Sequence, residues 1–107
     1  MTVNVVSTEL TYSALPLGHP EFGTWAVRVT WRGGENYAVK FLSQVLNRDG
    51  KWEYEPIPSE RGDDFIERTR FDYLTAQRLA VEHAPKIRIN GMTADEVARR
   101  FPTEETP

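Results

Sequence analysis

The chain has no cysteine among its 107 residues. Disulfides, thiol nucleophiles and thiolate metal sites are thereby excluded, and a reducing compartment such as the cytoplasm is the expected setting. Long apolar runs are missing too, since none approaches the ~20 residues that a membrane-spanning helix needs. Met1 to Ser7 lacks the basic stretch followed by an apolar one that marks a secretory leader. A cytoplasmic, soluble chain with no membrane partner is expected. Bulk positive charge is likewise absent: Lys and Arg number 13 against 16 Asp and Glu, and the sequence pI is near 5.4. That balance speaks against a nucleic-acid-binding domain working through bulk electrostatics, while leaving room for a local basic patch.

Catalytic motifs are scarce. The only two histidines are His19, in Gly18-His19-Pro20-Glu21, and His83, and neither has a serine or acid at a motif spacing. For His19 the plain reading is a turn residue. For His83 it is a partly buried position near a helix C-terminus, where the dipole favours a cation. No EF-hand or H-E-x-x-H pattern occurs, and Gly33-Gly34 lacks the lysine and length of a phosphate-cradling loop. Asp63 or Asp64 with Glu67 has the spacing that puts two oxygen ligands on one helical face. Acids in a first helical turn are also what the macrodipole favours, so no metal or cofactor is assigned to them.

What the chain does have is alternation. A hydrophobic content of 39% suffices for one compact core, read here as a single domain over 1–102 with 103–107 a disordered polar tail. Val3 to Tyr12 reads as a half-buried first strand, and Ser13 to Gly23, with Pro16, Gly18, Pro20 and Gly23, as a loop. Trp25 to Trp31 alternates cleanly, Gly33-Gly34 turns it back, and Tyr37 to Leu46 reads as one long strand. Asn47-Arg48-Asp49-Gly50 then reverses the chain into Trp52 and Tyr54. One face of this meander would hold Trp25, Val27, Val29, Trp31, Tyr37, Val39, Phe41, Trp52 and Tyr54, too large an apolar set to leave wet.

A helix over Asp64 to Ala84 supplies the cover, with the small residues Ala76, Ala80 and Ala84 set against the aromatic face. Phe71 falls on its charged side. Either the helix breaks near Thr69 to Asp72 with a fresh N-cap, or Phe71 meets a second surface. Pro85 ends it. Lys86 to Asn90 reads as a short edge strand before the Asn90-Gly91 turn, and Thr93-Ala94-Asp95-Glu96 is a capping box opening a short helix that ends near Phe101. The expected fold is α+β: a three- to four-stranded antiparallel meander, one long helix over one face and a short C-terminal helix.

On the opposite face the alternation places Arg28, Arg32, Lys40 and Lys51, with Leu42 and Leu46 beside them. Three functional readings result. The first is a non-enzymatic protein-interaction module using Arg28, Arg32, Lys40, Leu42, Leu46 and Lys51, with homodimerisation through that face as one form of it. The second is a nucleic-acid binder using the four cations. The third is a small metal-dependent enzyme built on the acids near Asp63, or on His19.

Leu46-Asn47-Arg48-Asp49-Gly50-Lys51-Trp52-Glu53-Tyr54-Glu55-Pro56, the Arg70-Phe71 entry to an Ala-rich helix, and Asn90-Gly91-Met92-Thr93-Ala94 also carry a resemblance. Over roughly Thr24 to Arg100 the chain resembles small uncharacterised proteins of actinobacteria and their phages. The resemblance carries no site residues; it implies an accessory or phage-encoded protein acting on a host or partner protein.

Overall fold

A computed structural model describes residues 2–101. The Thr103 to Pro107 tail therefore lies outside the described residues. Five strands follow one another in chain order: β1 (Glu9–Tyr12), β2 (Val27–Trp31), β3 (Tyr37–Phe41), β4 (Gln44–Leu46) and β5 (Trp52–Tyr54). Each pairs antiparallel with its sequence neighbour, so the sheet is a meander. The fold is α+β, as expected, with five strands in place of three or four.

The extra strand comes from a reversal inside Tyr37 to Leu46. Phe41 pairs with Gln44, so Leu42 and Ser43 form a two-residue turn, and Leu42 takes a φ of 54°. Glycine is the usual residue at such a position, and no local signal for a turn is present. The reversal changes which side chains share a face. Cross-strand partners lie on the same face, and Lys40 is opposite Val45, so odd positions of β3 align with even positions of β4. Leu46 therefore turns inward with Val39 and Phe41 and is fully buried, which corrects its expected place on the outer face. Val45 goes to the opposite side.

The first face carries Val27, Val29, Tyr37, Val39, Phe41 and Leu46, with Trp52 packed beside them. Two members of the expected core do not belong to it: Tyr54 is 65% exposed and Trp31 37% exposed. Tyr54 sits on the short edge strand β5, and Trp31 ends β2, where its indole N–H donates to the Gly34 carbonyl at 2.9 Å. Trp25 is buried just before β2 begins.

The single long helix is two. α1 (Asp63–Thr69) and α2 (Tyr73–His83) are separated by extended Arg70 and Phe71. Asp72 caps α2 by accepting the Thr75 N–H at 2.7 Å, as a fresh N-cap after a break requires. Ala76 and Ala80 of α2 are fully buried, and Ala84 nearly so, bringing this helix close to the first face. α1 covers the second face instead. Its Phe65 packs on Ala38 and Val45, and its Arg68 pairs with Glu53 of β5 at 2.7 Å.

Lys86 to Asn90 does not join the main sheet. β6 (Arg88–Ile89) and β7 (Met92–Thr93) form a separate two-stranded hairpin around Asn90 and Gly91, both at positive φ. α3 (Ala94–Arg100) follows, capped by Thr93 Oγ1, which accepts the Glu96 N–H at 3.3 Å. Among the described residues no helix is long and apolar enough to cross a membrane.

Candidate functional site

On the second face, where β5 ends, Glu55 points inward and its side chain is only 4% exposed. A buried carboxylate needs compensation, and it receives four cations. Arg32 Nη2 lies 2.8 Å and Lys40 Nζ 3.1 Å from Oε1; Arg70 Nη2 lies 3.3 Å and Arg61 Nη2 3.7 Å from Oε2. Burial pushes the Glu55 carboxyl upward more than any other single influence, yet Lys40 and Arg32 together hold it below the usual glutamate range. The same burial pushes the Arg70 guanidinium down, with Glu55 opposing and Arg32 and Arg61 adding to the effect.

Each cation arrives from a different segment. Lys40 comes from β3, Arg32 from the residue after β2, Arg61 from the turn after Pro58–Glu60, and Arg70 from the break between the helices. Arg61 is fixed by donating Nε to the Pro56 carbonyl at 2.8 Å. Arg70 is fixed by donating Nη1 to Thr69 Oγ1 at 3.1 Å, and Thr69 in turn donates to the Phe65 carbonyl at 2.6 Å. Beside the cluster, Arg32, Asn36, Pro58, Arg61, Ile66 and Arg70 line an open cleft of about 260 Å³.

Of the six residues expected to meet a partner, the structure brings only Arg32 and Lys40 together. Arg28 lies opposite Lys40 on the same face, but its guanidinium donates to the Gly23 carbonyl at 3.3 Å. Lys51 is exposed in the β4–β5 loop, Leu46 is buried, and Leu42 stands at the β3–β4 turn, 65% exposed. The hub, Glu55, and its partners Arg61 and Arg70 were not among the candidates. One signal pointed to the hub: alternation along Trp52 to Glu55 already puts Glu53 and Glu55 on the face of Arg28 and Lys40. Arg61 and Arg70 carry no such signal, because both lie outside regular elements.

His19 is buried and structural. Its Nδ1 accepts the Glu21 N–H at 3.0 Å, which leaves Nε2 to donate to the Phe101 carbonyl at 2.7 Å. His83 is half-buried edge-on against Trp52, and burial lowers its pKa despite Glu82, so the cation expected from the helix dipole is disfavoured. Asp63, Asp64 and Glu67 are exposed on α1, and among the described residues no three His, Asp or Glu side chains gather as an ion site. Comparison with protein families, curated proteins and solved structures finds no match.

Proposed function

We propose that the chain is a non-enzymatic protein-interaction module, an accessory or phage-encoded protein that meets its partner through the tip of the β3–β4 hairpin. The observation that carries this reading is Leu42. A leucine at φ 54° and 65% exposed is unfavourable twice over, in backbone conformation and in solvation. Residues held in strained backbone conformations concentrate at functional sites.

Two more exposed apolar residues lie on the segment that pairs with this turn. Tyr54 pairs with Gln44, two residues from Leu42, and is 65% exposed. Ile57, 56% exposed, lies two residues beyond Glu55, whose N–H bonds the Ser43 carbonyl in the same turn. The partner surface thus moves from the sheet face to its edge. The nucleic-acid reading loses support, since its four cations do not form one strip: Arg28 is turned to the Gly23 carbonyl and Lys51 stands apart in the β4–β5 loop. Asp63, Asp64 and Glu67 lend nothing to a metal-dependent one.

The test is capture of partners from an extract of the source cells by the wild-type chain, Leu42→Asp and Leu42→Gly. Loss of the same captured protein with Leu42→Asp, with circular dichroism unchanged, supports the reading. Equal capture by all three removes the tip from consideration. Sedimentation at several concentrations tests whether the captured partner is a second copy of this chain.

A further inference from the structure

We infer that the cleft lined by Arg32, Asn36, Arg61 and Arg70 is a binding site for a dianionic phosphoryl group, independent of the apolar tip. Charge is the first ground. Four cations surround one carboxylate, so a surplus of three positive charges remains within a few ångströms on the second face. One or two partners would have satisfied Glu55; the rest repel one another in a partly desolvated place, where like charges are most costly. An anion in the cleft relieves that repulsion.

Donor geometry is the second ground. Arg32 spends Nη2 on Glu55, while its buried Nε has no partner among the described residues. Arg61 spends Nε on Pro56 and stands 3.7 Å from Glu55, beyond hydrogen-bond reach. Guanidinium groups carry five N–H donors in a planar fork suited to phosphate oxygens. Glu55 acts as the template: it accepts Arg32 and Arg70, whose Nη1 is held by Thr69, and so fixes both guanidinium groups at the wall of the cleft. Asn36 adds a neutral donor at the rim.

Size and lining are the third. About 260 Å³ holds several waters or one phosphoryl group with a small substituent, and Pro58 and Ile66 offer an apolar wall to the substituent. A carboxylate would discharge only one of the three surplus charges, whereas a phosphate monoester discharges about two at neutral pH.

The experiment titrates inorganic phosphate, O-phosphoserine, adenosine monophosphate and acetate into the full chain by calorimetry at constant ionic strength, with thermal unfolding in parallel. Saturable binding of at least one phosphate compound, weaker or absent with acetate, is expected, and a binder of the native state raises the unfolding midpoint. The compound bound most tightly tells whether free phosphate, a phosphorylated side chain or a nucleotide is the source. Arg61→Gln should weaken binding at least about tenfold, the loss of one charge-assisted bond, while Arg99→Gln, on α3, should not. Ile66→Glu keeps every arginine and puts a carboxylate at the cleft; it should abolish binding even if Arg61→Gln fails to fold. No saturable phosphate binding, or binding unchanged in Ile66→Glu, overturns the proposal.

Discussion

Tyr37 and Phe71 exchange both backbone hydrogen bonds, Tyr37 N–H to the Phe71 carbonyl at 2.8 Å and Phe71 N–H to the Tyr37 carbonyl at 2.9 Å. The bridge lies alongside β3 beyond the end of β4, and it carries the chain from α1 on one face to α2 on the other. Phe71, which fits neither stripe of a continuous helix, is buried here in the main core. Phe71→Ala should destabilise the fold by about 3–5 kcal/mol, as for other buried phenylalanines. Urea unfolding checks this; a loss under about 1 kcal/mol would mean that the ring is dispensable at the crossing.

Arg48 fastens the same crossing. From the β4–β5 loop its Nε donates to the Glu67 carbonyl and its Nη2 to the Arg70 carbonyl, both at 2.9 Å, while its backbone N–H bonds Arg68 O. These carbonyls end α1 and have no helical partner of their own. The guanidinium also lies 5.2 Å from the Phe71 ring centroid. Arg48→Ala should cost about 1–3 kcal/mol. Arg48→Lys should recover less than half of that, because an ammonium cannot span two carbonyls as a fork does. Thermal melts of the two variants decide it.

Acid should lower the stability of the fold over two pH ranges. His83 has its pKa lowered, so its contribution is complete above about 6.5 and fades as pH falls, since the unfolded chain then binds the proton more readily. Glu55 and Glu53 also have lowered values. For Glu53 the causes are hydrogen bonds from Arg68 and Asn47. Their contributions are complete above about 4.3 and are lost as pH falls through the folded-state values. His83→Gln should flatten the upper range alone. Glu55→Gln should remove part of the dependence in the lower range and cost about 3 kcal/mol at pH 7, by leaving the cations uncompensated. Denaturant midpoints between pH 3 and 8 provide the measurement.

At Leu42 the direction reverses. Leu42→Gly relieves the positive φ and removes an exposed side chain, so stability should rise by up to about 1 kcal/mol. A decrease in the urea midpoint would show that the leucine packs where it stands.

The parts legible in advance were those with a local cause. Asn90-Gly91 and Asp49-Gly50 marked turns, Thr93 and Glu96 marked a helix start, and the misfit of Phe71 marked a break. The turn at Leu42-Ser43 has no such cause. Leu42 disfavours a reversal, a lone Ser43 favours one only weakly, and alternation runs through them unbroken, so the parity change that buries Leu46 is set mainly by tertiary pairing. Glu55 was visible as a charge on the correct face. Its convergence with Arg61 and Arg70 depends on two irregular segments, whose placement no periodicity encodes.

The meander also has a kinetic meaning. Every strand pairs with its neighbour in sequence, and apart from the long connection between β1 and β2 the sheet closes only short loops, a topology of low contact order. Against that background the bond from His19 Nε2 to the Phe101 carbonyl spans 82 positions and joins the β1–β2 loop to the end of α3. Closing a loop of that length carries a larger entropy cost than any hairpin of the sheet, so this bond is expected to form late. His19→Ala should then speed unfolding and leave the refolding rate nearly unchanged in stopped-flow traces, so that this histidine acts on how long the folded state lasts and little on how fast it forms.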